Sequence, residues 1–547
     1  MSFLSLALVL SPSVPVLRQE DPVAPLLPTD TAVLVRIESA RAWDELVREL
    51  LEGGDEASAY EGLQGLLDSM AESEVAPEER ARLDLDAPLH LAVSFTGGSN
   101  AVTLVAPVVN ARPLRIHGEI LSAPRSSLHG NLAVVTNHAE EPGHPSTTPL
   151  LAQLPPGLLS ARVDLATILA TFRPLIDMGL QQAEMAIDSL PQGGPFDLEP
   201  LFEAYLDAAR DFLDSALALD VVLERDGDEL TVRITYTQRT ERAPAQTGDP
   251  APLLACIDAD STGQVAFTGR AGDAYRQFGD LAEAALSMYP QPLRGDLERM
   301  VDLQLELDAL MEPGIAASFD FGEQGMRACY VLRSSQPEEL IGRFVELMRS
   351  LDHEGGLVRV GAASALEVDG LQAQVLPLEI QFASMMSAFQ SMQPDVDATG
   401  GELDAEARQE LEDMFGTLYG HDLRLALAHA GPLVLVSLAN DEEVLRRDLG
   451  RLRAPGTPSP RMQRLLARIE PGAMGVAYHI ELGRGLARML EAFRTLAPDE
   501  EPISFTPTDA ALGFFISQSG ARWSFGAQLQ LSELRELGRA LAELEDR

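Results

Sequence analysis

The chain has 547 residues, with 84 acidic and 41 basic side chains and a formal net charge of −43. All 41 basic residues are arginine, because the sequence contains no lysine. That excludes a pyridoxal Schiff base, a Walker-type phosphate loop and a Ser-x-x-Lys hydrolase, and the charge repels polyphosphate and anionic membrane surfaces.

A hydrophobic fraction of 46% with 23% charged residues marks a folding chain. Only 5% of residues are aromatic, so Leu, Val, Ala and Met must supply the core. Met1 to Leu10 is an apolar run of the size of a signal-peptide hydrophobic region. No basic residue precedes it, the first being Arg18. Residues 1–25 are read as a leader and the protein as exported, to the periplasm or beyond; the other reading is a first strand or a disordered start in a cytoplasmic protein. No later stretch is long and apolar enough for a transmembrane helix. Cys256 and Cys329 are read as two buried free thiols, or as one disulfide in an exported chain.

The remaining chain reads as a divergent duplication, with four signals recurring in the same order. In the first, Leu27-Pro28-Thr29-Asp30-Thr31 leads into a strand from Ala32 to Ile37 and a helix capped by Ser39. Its counterpart is Asp260-Ser261-Thr262, a strand from Gln264 to Thr268 and a helix carrying Tyr275, Phe278 and Leu281. In the second, Leu83-Asp84-Leu85-Asp86-Ala87 precedes a Gly-turned hairpin over Leu89 to Val109. It matches Leu305-Glu306-Leu307-Asp308-Ala309 before the hairpin over Ile315 to Leu332. The third pairs the strand after Gly130 with the strand after Gly431. Each is followed by Pro-Gly, a strand and a strand-end acid, Asp164 or Glu481. An acid there sits at a positive helix N-terminus. The fourth is a hairpin near the end of each half, over Asp220 to Tyr236 and over Ala511 to Leu529, and a helix from about Ser532 to Glu545 closes the chain.

The reading is therefore an α+β class, two homologous modules of mainly antiparallel sheet covered by amphipathic helices such as Leu165 to Ala186, which Pro174 should kink. The modules span 26–239 and 253–547, joined by a Pro-rich linker over 240–252. This order of motifs resembles a family of uncharacterised bacterial envelope proteins with a domain of unknown function. The resemblance implies an extracytoplasmic, non-enzymatic protein and carries over no catalytic residue.

Three site candidates stand out. Leu253-Leu254-Ala255-Cys256-Ile257-Asp258-Ala259-Asp260 reads as an apolar strand followed by Asp-x-Asp, like the first motif of haloacid-dehalogenase phosphatases. There Asp258 is the nucleophile and Asp260 the acid/base. The alternating βα units of that fold are missing, and Asp260-Ser261 reads more simply as the repeat mate of Asp30-Thr31. Asp395, Asp397, Thr399 and Glu406, with Gly400 at the turn, match EF-hand ligand spacing for Ca²⁺, against an acidic helix connector. His138, Glu140, Glu141 and His144 fit no standard zinc spacing. Phe382, Met385, Met386 and Phe389 recur at helical spacing, as core or as the wall of a lipophilic groove.

The sequence thus leads to a non-enzymatic exported binding or scaffold protein without catalytic residues or a bound organic cofactor. Its partner is an unknown protein or a hydrophobic ligand, and not nucleic acid. The alternatives are a carrier holding a hydrophobic ligand between sheet and Met/Phe-rich helices, and a metal-dependent hydrolase.

Overall fold

A computed structural model describes residues 22–545, apart from 52–59, 73, 97–98, 119–120, 139–148, 190–198, 242–244, 288, 290–292, 323–324, 354–357, 382–415, 417–421, 488–489 and 491–506. The chain forms two compact units, one comprising residues up to 171 with 218–224, the other 172–217 with 225–547. Both combine antiparallel sheet with helices, the α+β class expected.

In the first unit the strands lie in the order β4 (Arg125–His129), β5 (Leu132–Thr136), β3 (Ser99–Pro107), β2 (Leu89–Thr96), β1 (Thr31–Ile37), β6 (Leu159–Asp164) and β7 (Ala216–Asp226), each antiparallel to its neighbours. Strand β5 is apolar throughout its centre because both faces are covered. Ala133 and Val135 join one core cluster and Val134 the other, where Val23, Leu26 and Leu27 also pack. Helix α1 (Ala40–Leu51) starts where Ser39 Oγ accepts the Ala42 N–H at 3.2 Å, the cap expected. Asp164 caps α4 (Leu165–Asp188), accepting the Thr167 N–H at 3.0 Å. Arg162 and Asp220 form a half-buried ion pair across β6 and β7 at 2.9 Å.

In the second unit the order is β14 (Leu371–Ile380), β15 (Leu423–Ala430), β16 (Leu433–Ala439), β11 (Gly325–Ser334), β10 (Met311–Gly322), β9 (Gly263–Phe267), β17 (Met474–Glu481), β18 (Ala511–Ser519), β19 (Arg522–Gln530) and β8 (Glu229–Gln238). The short β12 (Val358–Val360) and β13 (Ser364–Val368) line the outer edge of β14. From β15 to β18 this order corresponds strand for strand to that from β4 to β7 in the first unit. Local geometry corresponds too. Thr31 Oγ1 donates to Pro28 O at 2.7 Å, and Ser261 Oγ donates to Asp258 O at 2.9 Å, both three residues back along the chain. Gly130 and Gly431, with φ of 66° and 60°, turn the chain into β5 and β16.

Not every paired motif shares a structure. Leu83 to Ala87 is irregular chain, whereas Leu305 to Ala309 lies inside α8 (Leu293–Leu310). The run from Leu253, read as a strand, instead belongs to a one-turn helix, α6 (Ala251–Leu254), because Pro252 in its first turn fixes a helical φ and withholds an N–H that a strand would need. The later part of the expected linker is packed: the Gly248 N–H donates to Thr268 O at 2.7 Å, and a Cβ on Gly248 would fall 1.9 Å from the Pro313 carbonyl oxygen.

One face of the second sheet is covered by α6, α10 (Glu442–Arg453) and α11 (Pro460–Leu466), which enclose Leu254, Cys256, Cys329, Leu449, Leu465 and Phe515. Both cysteines are buried free thiols. Among the described residues, the opposite face is covered by α8 and α9 (Pro337–Ser350) over β10, β11 and β14 to β16. Helix α4 covers no sheet face as expected of it. None of its described side chains is buried, and Met185 is 62% exposed.

Candidate functional site

Two cross-strand rows define the uncovered face of the second sheet. One runs Val265, Tyr478, Phe514, Ala527, Val232; the other runs Phe267, Val476, Ile516, Phe525, Ile234. Strand side chains alternate between faces, so the opposite side of the same strands presents His479, Ser517, Gln528, Thr231 and Thr235. The polarity is inverted. The polar set is buried on the side where α11 packs, whereas Phe514, Ile516, Phe525, Ile234 and Val232 keep 36–41% of their surface. An amphipathic sheet ordinarily turns its apolar face to the core, so an exposed contiguous apolar face marks a binding surface.

The face is a groove rather than a flat patch. On the β8 side, Tyr236 stacks on Phe212 of α5 (Glu199–Ser215) with ring centroids 4.8 Å apart, and Ser215 Oγ lies 3.2 Å from Tyr236 Oη. On the β9 side, Tyr478 stacks on Phe319 at 5.7 Å. The groove between has a volume of about 470 Å³, in the range of small-molecule sites, and no charged side chain among the described residues of its lining. Two glycines shape the sheet beneath it. A Cβ on Gly263 would fall 1.8 Å from the ring of its cross-strand partner Phe319. On Gly526 it would fall 2.1 Å from the ring of its partner Phe515, on the buried face.

The buried face carries the charge. Arg461 joins α11 to Glu481 at 3.5 Å and to Glu533 of α12 (Leu531–Glu545), and His479 Nε2 lies 2.9 Å from Glu481. Burial pushes the Glu533 carboxyl above its ordinary value, further raised by Glu481 and Asp509 and opposed by Arg461. Glu481 is held below its ordinary value: burial works against the charge, and His479, Arg461 and Arg484 outweigh it.

The sequence candidates have other roles. Asp258 is a counter-ion. Its two oxygens meet Arg327 at 2.9 Å and Arg451 at 3.0 Å, and the same arginines reach the fully buried Asp448 at 2.6 and 3.1 Å. Ser437 Oγ donates to Asp448 at 2.7 Å. Burial opposes the Asp258 charge, but the two guanidiniums outweigh it and lower its pKa. A carboxylate with both oxygens paired to arginine is poorly placed for nucleophilic attack. Asp260 shares the turn geometry of Asp30, the simpler reading. His138 pairs with Asp30 at 3.0 Å, while Glu140, Glu141 and His144 lie outside the described residues. So do Asp395, Asp397, Thr399 and Glu406, and the helix expected around Phe382, Met385, Met386 and Phe389. Among the described residues no group of three or more His, Cys, Asp or Glu side chains is placed to hold a metal ion, and no helix is long and apolar enough to cross a membrane.

Sequence reading located the strands of the groove but not the groove. Alternation of Val232, Ile234 and Tyr236 with Thr231, Arg233 and Thr235 marks an apolar side of β8, and period-2 logic assigns that side to the core. Only the placement of α11 reverses the assignment.

No family model matches the chain, and no curated protein matches it. Among solved structures, crystal form III of TP0453 matches with 10% identity and a TM-score of 0.25, covering 53% of this chain and 96% of that one. Crystal form IV matches with 12% identity, the same TM-score and the same coverages. Likeness at this level carries no argument about function.

Proposed function

We propose that the protein is a non-enzymatic binding protein whose ligand is apolar and lies on the uncovered face of the second sheet. One observation carries the reading: two continuous apolar rows cross five strands on the exposed side, over a buried polar side. Covering the five part-exposed side chains returns roughly 1 kcal/mol each, and a ligand contributes about 0.8 kcal/mol per methylene removed from water. Phe212 of α5 packs at one end, whereas the Met/Phe-rich segment lies outside the described residues.

The proposal includes a duplicated origin for the two modules, supported by the shared strand order and the matching Pro28–Thr31 and Asp258–Ser261 turns. Export, and membership of the uncharacterised envelope family, belong to the same proposal and rest on the apolar run at Met1 to Leu10 and the motif order. The test is native mass spectrometry of the full chain from an export-competent host, with binding of a neutral fluorescent probe as a second readout. A retained lipid-sized mass lost in Phe514→Ser/Phe525→Ser supports the reading. A bare polypeptide mass together with no probe binding overturns it.

A further inference from the structure

Resting on that binding reading, we propose that the groove selects uncharged long-chain ligands, such as an alcohol, an ester or a hydrocarbon, and rejects the matching carboxylate. The argument is one of charge placement. No described residue lining the groove is charged. The arginines of its strands sit on the other side: Arg233 alternates with Val232 and Ile234, and Arg522 reaches toward Glu470 at 3.7 Å. Arg461, Arg464 and Arg468 are also spent on that side, on Glu481, Glu533 and Glu229. The chain has no lysine to reach across on a flexible stem, and its net charge of −43 adds long-range repulsion for anions.

An anionic head would therefore lose hydration on entering the groove and gain no cation, a penalty that neutral heads escape. Among the described lining residues Tyr478 alone carries a polar side-chain group, and burial pushes its phenol above its ordinary value. It therefore stays a neutral donor at physiological pH, suited to a hydroxyl or ester oxygen and adding no charge of its own.

The test is displacement of the neutral probe N-phenyl-1-naphthylamine from the full chain by 1-hexadecanol or by hexadecanoate at pH 8. Wild type should prefer the alcohol by about ten-fold or more. Ile516→Arg, which places a cation on a part-exposed position of the floor, should bring that ratio to about one or invert it. Ile516→Gln should weaken both competitors alike, and thermal melts of both variants confirm folding. Equal displacement by alcohol and carboxylate in wild type overturns this inference while leaving the binding reading intact. Absence of probe binding overturns both.

Discussion

Phe514 and Phe515 are neighbours in β18 with opposite fates: Phe515 is 1% exposed beneath α11, and Phe514 is 39% exposed on the floor of the groove. The same residue type at adjacent positions thus serves stability on one face and binding on the other. Phe515→Ala should cost about 3–5 kcal/mol of stability. Phe514→Ser should cost clearly less, about 1–2 kcal/mol, yet weaken binding of an apolar probe several-fold. Urea melts and probe titrations of the two variants separate the effects; similar stability losses in both would contradict the assignment of faces.

Gly526 leaves the space that Phe515 fills. Gly526→Ala should destabilise by about 1–3 kcal/mol through overpacking against that ring. Gly520, in the preceding turn, has no atom within 4 Å of its missing Cβ, although its φ is 56°. Gly520→Asn, suited to that backbone conformation, should therefore be nearly neutral. Thermal melts compare the two directly.

Asp448 is completely buried and receives Ser437, Arg327 and Arg451. Asp448→Ala leaves two guanidiniums short of a counter-ion and should cost about 3–5 kcal/mol. If urea denaturation instead shows a loss below about 1 kcal/mol, the four-residue cluster is not the brace between α10 and the sheet that its geometry indicates.

Asp258 and Glu533 predict opposite pH effects. Asp258 titrates below the ordinary 3.8 in the folded chain, so its contribution is intact above that value and is lost as the pH falls through the lower folded value. Glu533 titrates above the ordinary 4.5, so the folded state takes up this proton first and gains stability from it as the pH falls through the raised value. Melting temperature measured from pH 7 to pH 3 should drop more steeply on the acid side in Glu533→Gln than in wild type. Parallel curves would refute the Glu533 assignment.

Much of the architecture was legible in local chemistry. Ser39 and Asp164 cap helices because their oxygens meet free N–H groups three residues on. Gly130 and Gly431 open strands because a tight turn needs positive φ. These signals are local, so they survive divergence of the rest. The α6 run was misread because Leu253 to Ile257 is apolar enough for either a strand or a helix, and Pro252 in the first turn was outweighed by the Asp-x-Asp that follows. The local likeness of Asp258 to a phosphatase nucleophile hides its role as a counter-ion, because its partners Arg327, Arg451 and, through them, Asp448 lie far away along the chain.

What the sequence alone determined is the strands that build the groove, their turns, and the separation of apolar from polar side chains along each of them, because these depend on residues a few positions apart. Which of the two sides faces water is decided elsewhere. Helix α11 packs over Gly513 and Phe515, where the small Gly513 leaves room for Leu465, on the side that carries the buried Thr231 and Gln528. Alternation has no sign until a helix from another part of the chain chooses a face; only the tertiary structure turned the apolar rows of β8, β17, β18 and β19 outward.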